Sequence, residues 1–390
     1  MMRLADLITQ FEPDLMARHG QRLLPSHRQA LASLKNCRSR FAPQMLAACQ
    51  GCHAQRYLPH SCGHRACPHC QHQDSALWLA RQLKALVPAT YFLVTFTLPA
   101  QLRALAWQHQ RLVYELLMQC AWQTLKTFSL NDAQLAGTPG ALALLHTHNR
   151  ALGFHPHVHV CMPAAALDTA KRLWRTKVQR GKPAGQRPPD QPARGGYLFS
   201  HKALAKVFAA KLKAALTEAG LGLPADLPPA WVVDCKSVGD GQAVLRYLGR
   251  YLYRGVIQER DILRCKNGLV TYRWRDAKSG KSATRTLPGA DFLWLLLLHV
   301  LPKGLQRARN FGFLHHNSRR TLRLLQLIHL VPRPSAAQAE PPPTRPLWRC
   351  ACGQPMLILR WRIRPDQVPP CIAPQTVRPD KANPMQASTH

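Results

Sequence analysis

Two histidines separated by one residue, His157 and His159 in the run Phe154-His155-Pro156-His157-Val158-His159-Val160, could do metal chemistry. Side chains alternate between the faces of an extended strand, so these imidazoles share one face while Val158 and Val160 point the other way into a core. Neutral imidazole is a common ligand for divalent cations, and two on a rigid strand supply the first two ligands of such a site. Pro156 cannot donate to a ladder, so the strand is expected to begin after it, with His155 at its entrance. Alone, the pattern also fits an ordinary strand that happens to carry two histidines.

A second chemical element is the stretch Gln242 to Arg254, QAVLRYLGRYLYR. At about 100° per residue it forms a helix with Val244, Leu245, Leu248 and Leu252 on one stripe. Tyr247 and Tyr251, four residues apart, share a second stripe, and Arg246, Arg250 and Arg254 a third. The tyrosines lie between the apolar and cationic stripes. That position suits a nucleophile whose ring is held by the core while its hydroxyl faces a surface that attracts phosphate. An amphipathic helix with boundary tyrosines and a solvated arginine face has the same pattern.

The third element is a cysteine-rich segment. Cys49-x2-Cys52 and Cys67-x2-Cys70 are spaced as the two knuckles of a four-cysteine zinc site, in which the metal supplies folding energy that a small module lacks. Cys37 and Cys62 are left over, and Cys62 could replace one of the four. In the tail, Cys350, Cys352 and Cys371 do not read as a metal site. Thirteen cysteines in a chain with no signal peptide argue for metal binding in a reducing compartment, and the protein is expected in the cytoplasm.

Lysine and arginine number 53 against 19 acidic residues, a formal charge of +34, which points to a polyanionic partner. The basic residues are spread along the whole chain, so nucleic acid suits them better than a membrane surface. The longest apolar run, Phe292 to Leu298, is too short to span a bilayer.

The elements that must position these groups follow from periodicity. Residues 1–36 read as helix, with Leu4, Leu7, Ile8 and Phe11 at helical spacing, and 37–86 as the zinc module with a following helix. Tyr91 to Leu98 is a buried strand, 101–128 a helix, and Ala141 to Leu145 a short strand paired with the histidine strand through a turn near Asn149. Residues 178–196 read as a mobile cationic loop within a domain spanning 88–330. A basic helix covers 201–219, and Trp231 to Cys235 forms a strand. Leu269 to Trp274 and Ser282 to Leu287 form a hairpin, with Trp274 available for stacking on bases. A helix at 291–301 leads to Lys303, Arg307 and Arg309, candidates with Arg246, Arg250 and Arg254 for DNA contact, and a basic helix covers 318–328. Residues 331–390 read as a Pro-rich, disordered tail.

Together these motifs resemble the HUH-type tyrosine transposases of rolling-circle insertion sequences, including those of the common-region elements. The resemblance spans about residues 30 to 330 and is carried by the zinc stretch ending Ser61-Cys62-Gly63-His64-Arg65-Ala66-Cys67-Pro68-His69-Cys70, by YFLVTFTLP and by HPHVHV. Tyr247-Leu248-Gly249-Arg250-Tyr251 and His299-Val300-Leu301-Pro302-Lys303-Gly304 complete it.

The resemblance implies an α+β fold, an HUH endonuclease core of antiparallel sheet with helices on one side, preceded by a small cysteine-rich zinc-binding domain. His157 and His159 match the family's metal pair, for Mg2+ or Mn2+, and Tyr247 and Tyr251 its nucleophiles. A third ligand is usual, and His155 or a polar residue on the tyrosine helix could supply it. The implied activity cleaves and rejoins single-stranded or extruded DNA through a 5′-phosphotyrosine link, with Zn2+ as a structural ion. Two rivals fit parts of the pattern. His155-x-His157-x-His159 resembles the histidine-triad nucleotide hydrolases, and a non-catalytic zinc-dependent DNA-binding protein, a decayed transposase, would share the charge and the cysteines.

Overall fold

The computed structural model describes residues 2–39, 41–70, 72–149, 151–177, 198–252, 257–275, 280–331 and 348–368. Helices α1 (Leu4–His19) and α2 (Pro25–Lys35) lead into the hairpin β1 (Gln44–Cys49) and β2 (Gln55–Pro59), then α3 (His72–Lys84). The central part runs β3 (Tyr91–Thr97), α4 (Arg103–Gln108), α5 (Gln110–Asn131), β4 (Thr138–His148), β5 (Phe154–Pro163), β6 (Ala165–Asp168) and β7 (Leu173–Thr176). It continues through α6 (His201–Glu218), β8 (Val233–Ser237) and α7 (Gln242–Leu252). The last elements are β9 (Ile262–Lys266), β10 (Leu269–Arg275), β11 (Ser282–Pro288), α8 (Gly289–Leu297), β12 (Ala308–Gly312), α9 (Arg319–Ile328) and β13 (Met356–Ile363).

The main sheet has seven strands in the order β7-β6-β4-β5-β3-β8, with β12 also on β4, and every pair is antiparallel. Alternation sorts its side chains as the sequence requires. Phe92, Val94, Phe96, Ala143, Leu145, Val158 and Val160 fill one face against Leu117 and Ala121 of α5 and Phe208 and Leu212 of α6. Fully burying a valine, leucine or phenylalanine contributes about 1.5–3 kcal/mol, so this face fixes the register of the strand that carries the histidines. The expected helices on one side are these.

The opposite face carries Tyr91, Leu142, Leu144 and Cys161, and helices flank it as well. Trp78 of α3, Val244, Leu245, Leu248 and Leu252 of α7, and Leu325 of α9 pack there. Helix α7 thus lies on the histidine face of the sheet. Helix α3 packs against α7 at Gly249: a Cβ there would stand 3.4 Å from the Trp78 ring, an ordinary contact, and Ser75 donates to the Gly249 carbonyl at 3.1 Å.

Several elements differ from expectation. Strand β5 starts at Phe154 rather than after Pro156, because a bulge between His146 and His148 takes up the proline. The helix expected over 101–128 breaks at His109, whose φ of −121° and ψ of 46° separate α4 from α5. Strand β4 runs on to His148, three residues beyond its expected end. Trp274, expected to be open for stacking, is half-buried against the core formed by α1, α8 and β10. The tail is not wholly irregular, since β13 pairs with β1 and completes the sheet β13-β1-β2. The loop expected at 178–196 lies outside the described residues.

Candidate active site

Strand pairing builds the histidine site. His157 lies opposite His146 of β4 and Thr97 of β3, and His159 lies opposite Leu144 and Thr95. Ring nitrogens of His146, His157 and His159 all come within 4.8 Å of one another. Donors spaced this way can close on one cation at metal–nitrogen distances of about 2.0–2.1 Å with small side-chain movements. His146, unforeseen in the sequence, is therefore the third member.

Hydrogen bonds orient the rings. His157 Nδ1 is 2.7 Å from the His155 carbonyl, which only accepts, so Nδ1 carries the proton and Nε2 keeps its lone pair. His159 Nδ1 is 2.9 Å from Thr95 Oγ1, a hydroxyl that can either donate or accept; the ring donates to it in the tautomer that leaves Nε2 free for a metal. Burial holds His157 at about 4 and His159 at about 3, and pushes His146 well below the ordinary histidine value. All three are neutral near pH 7, the form in which imidazole binds metal. His155, offered as an extra ligand, is not in this group, and its Nδ1 accepts from Arg103 at 2.8 Å.

Helix α7 places Tyr247 at 36% exposure while Val244, Leu245, Leu248 and Leu252 are buried, as the stripes predict. Tyr251 lies one turn further along, in the last turn of the same helix. Arg307 ties the helix to the histidine strands: its Nε donates to the Leu145 carbonyl at 3.0 Å and its Nη1 to the Leu252 carbonyl at 3.4 Å. Its charge also lowers His146, His148 and His157, after the effect of burial. Arg307, read from sequence as a DNA contact, thus stands between the tyrosine helix and the histidines. His299 buttresses the turn between β4 and β5, donating from Nε2 to Leu152 at 2.9 Å.

The other basic candidates are dispersed. Arg246 and Lys303 are exposed, whereas Arg309 pairs with Glu115 of α5 at 3.6 Å. Arg309 therefore faces away from the histidines. Arg254 and the side chain of Arg250 lie outside the described residues.

The cysteines assemble otherwise than their spacing suggests. Cys49, Cys52, Cys67 and Cys70 do not form one site; they divide between two groups, Cys37, Cys62, Cys67 and Cys70, and Cys49, Cys52, Cys350 and Cys352. The hairpin β1-β2 carries Cys49 and Cys52 away from the later pair, and each pair finds its complement elsewhere. In the first group Cys37 is 3.3 Å from Cys70 and 3.5 Å from Cys67, and Cys62 is 3.7 Å from Cys70. Tetrahedral ligation at a Zn–S distance of about 2.3 Å requires sulfurs about 3.8 Å apart, so this group fits the ion. The neighbouring Sγ groups pull Cys37 and Cys70 toward thiolate. Cys371 lies outside the described residues.

A family model described as "Transposase zinc-binding domain" matches residues 7–98, and one described as "Putative transposase" matches 140–321. Over 362 residues, 86% of each chain, the protein is 32% identical to one named "Putative transposase y4qJ" of Sinorhizobium fredii. The chain belongs to the IS91-type transposase family. The transposase is also 28% identical over 281 residues to one named "Transposase for insertion sequence element IS801" of Pseudomonas savastanoi pv. phaseolicola, covering 67% of this chain and 63% of that one. No solved structure matches it. All four cysteines of the first group, with Cys49 and Cys52 of the second, lie within the zinc-binding match, and the histidines and both tyrosines fall within the second match. Among the described residues no helix is long and apolar enough to cross a membrane.

Proposed function

We propose that this transposase cuts and rejoins single DNA strands through a 5′-phosphotyrosine link, using Tyr247 or Tyr251 as nucleophile and His146, His157 and His159 to hold Mg2+ or Mn2+. The supporting observation is the set of three neutral imidazoles on the sheet face against which the tyrosine helix packs. A divalent cation at such a site polarises a phosphodiester and offsets the charge that builds on its oxygens.

The tyrosine oxygen attacks phosphorus and the bond to the 3′ oxygen breaks. That oxygen leaves as a 3′ hydroxyl once it takes a proton, and the 5′ phosphate stays esterified to the protein. With a reference pKa of about 10, only about one phenol in a thousand is ionised at pH 7, so cationic neighbours must favour the phenolate. Arg246 on the same helix and Arg307 at its end supply that bias. The ester keeps the bond energy, so rejoining is the reverse attack by a 3′ hydroxyl and needs no ATP. A second tyrosine permits a second cut before the first link is resolved.

The preferred substrate is single-stranded or extruded DNA from the element's ends, where the backbone can bend into the site. The test incubates protein, Mn2+ and a 3′-labelled single strand containing an element end. A denaturation-resistant adduct, mapped by mass spectrometry to Tyr247 or Tyr251 and lost in the double phenylalanine variant, is the expected result. Cleavage that leaves no adduct, or an adduct that survives both substitutions, refutes the proposal.

A further inference from the structure

We propose that Cys49, Cys52, Cys350 and Cys352 hold a second zinc ion, which clasps strand β13 to the cysteine-rich module. Cys350 and Cys352 lie outside both matched regions, and the inference does not depend on the proposed DNA chemistry. The four Sγ atoms lie within 4.8 Å of one another, with Cys49 to Cys352 and Cys52 to Cys350 each at 3.5 Å. These are the separations of sulfurs round one tetrahedral ion, and far longer than a disulfide bond of about 2.05 Å.

The two halves of the cluster are built alike. Cys49 donates its amide to Ala54 and Cys350 donates to Gln354, each at 2.9 Å, so each begins a tight turn. The turns pass through left-handed residues, His53 at φ 57° and Gly353 at φ 81°. Cys49 Sγ also accepts from the amides of Gly51 and Cys52 at 3.4 Å, donors that favour a metal-bound thiolate. Backbone bonds join the halves, from Gln50 to the Pro355 carbonyl at 3.1 Å and along the β1-β13 ladder.

The three strands β13, β1 and β2 need such an ion. Their buried core is Met45, Ala47, Leu58 and Met356 together with Cys49 and Cys350 themselves. A core this small rarely sustains a sheet in water without a metal or cross-link.

The test counts zinc in full-length protein carrying His157→Ala and His159→Ala, so that the histidine site does not contribute, purified with reductant. Two zinc ions per chain are expected, with X-ray absorption showing four sulfurs about 2.3 Å from each. Adding Cys350→Ser and Cys352→Ser should lower the count from two to one and speed amide exchange in Met356 to Ile363. Adding Cys37→Ser and Cys62→Ser instead should also leave one. One zinc ion in the parent protein overturns the proposal, whether or not the cysteine variants fold, and so does a mapped Cys49–Cys352 or Cys52–Cys350 disulfide. A count that stays at two after Cys350→Ser and Cys352→Ser overturns it as well.

Discussion

Replacing Thr95 by valine tests the histidine site without disturbing the sheet. Thr95 is half-buried on β3, where its Oγ1 meets His159 Nδ1 at 2.9 Å. Valine has nearly the same shape and suits a strand at least as well, so the metal-free fold should change by about 1 kcal/mol or less, the net value of one hydrogen bond. The ring of His159 loses the hydroxyl partner that orients it. Losing such a partner typically weakens metal affinity about 10–100-fold, or about 1.4–2.7 kcal/mol. Titration of Mn2+ followed by calorimetry should show that loss. Adduct formation should need correspondingly more Mn2+ yet reach a plateau within a few-fold of the parent. An unchanged Mn2+ affinity would refute the assignment of His159 as an oriented ligand; a comparable fall in metal-free stability would show that the threonine serves the fold instead.

Other perturbations extend the test. His146→Ala should remove Mn2+ binding and adduct formation together, whereas His155→Ala should keep Mn2+ binding, both read by calorimetry. Burial keeps His27, His157 and His299 at about 4 and His159 at about 3, against an ordinary value of 6.5. The unfolded chain therefore binds more protons below pH 6.5, and metal-free stability should fall as pH drops from there toward 4, by up to ~1.4 kcal/mol per unit for each ring, while staying flat above. Denaturant melts at pH 7 and pH 5 that coincide would contradict this. Gly249→Ala should be tolerated or add up to about 1 kcal/mol to stability, because its Cβ meets Trp78 at 3.4 Å within a helix. Gly312→Ala should lower the melting temperature sharply, since its Cβ would lie 1.7 Å from the Pro139 oxygen at φ +59°.

The histidine strand was legible because its alternation is local: His157 and His159 on one face and Val158 and Val160 on the other follow from a period of two. His146 escaped because its strand was read only to Leu145, one residue short, and nothing local to His146 marks a ligand. Its role comes from register, the pairing that sets it opposite His157. The cysteines show the same limit. Two C-x2-C pairs close in sequence invite each other as partners, yet Cys49 meets Cys352 across 303 residues. Spacing reveals a knuckle but not its mate. The tyrosine helix was legible from its stripes, whereas Arg307 as the tie between that helix and β4 depends on a loop path that periodicity does not encode.

Strand β1 sits between β2, which follows it at once, and β13, which the ribosome makes about three hundred residues later. During synthesis the nascent chain must therefore carry β1 with one open edge until the residues of β13, Met356–Ile363, have been translated. Transcripts cut short before codon 350 would release a polypeptide containing every histidine and tyrosine of the site, yet with that edge still bare and prone to pair with another molecule.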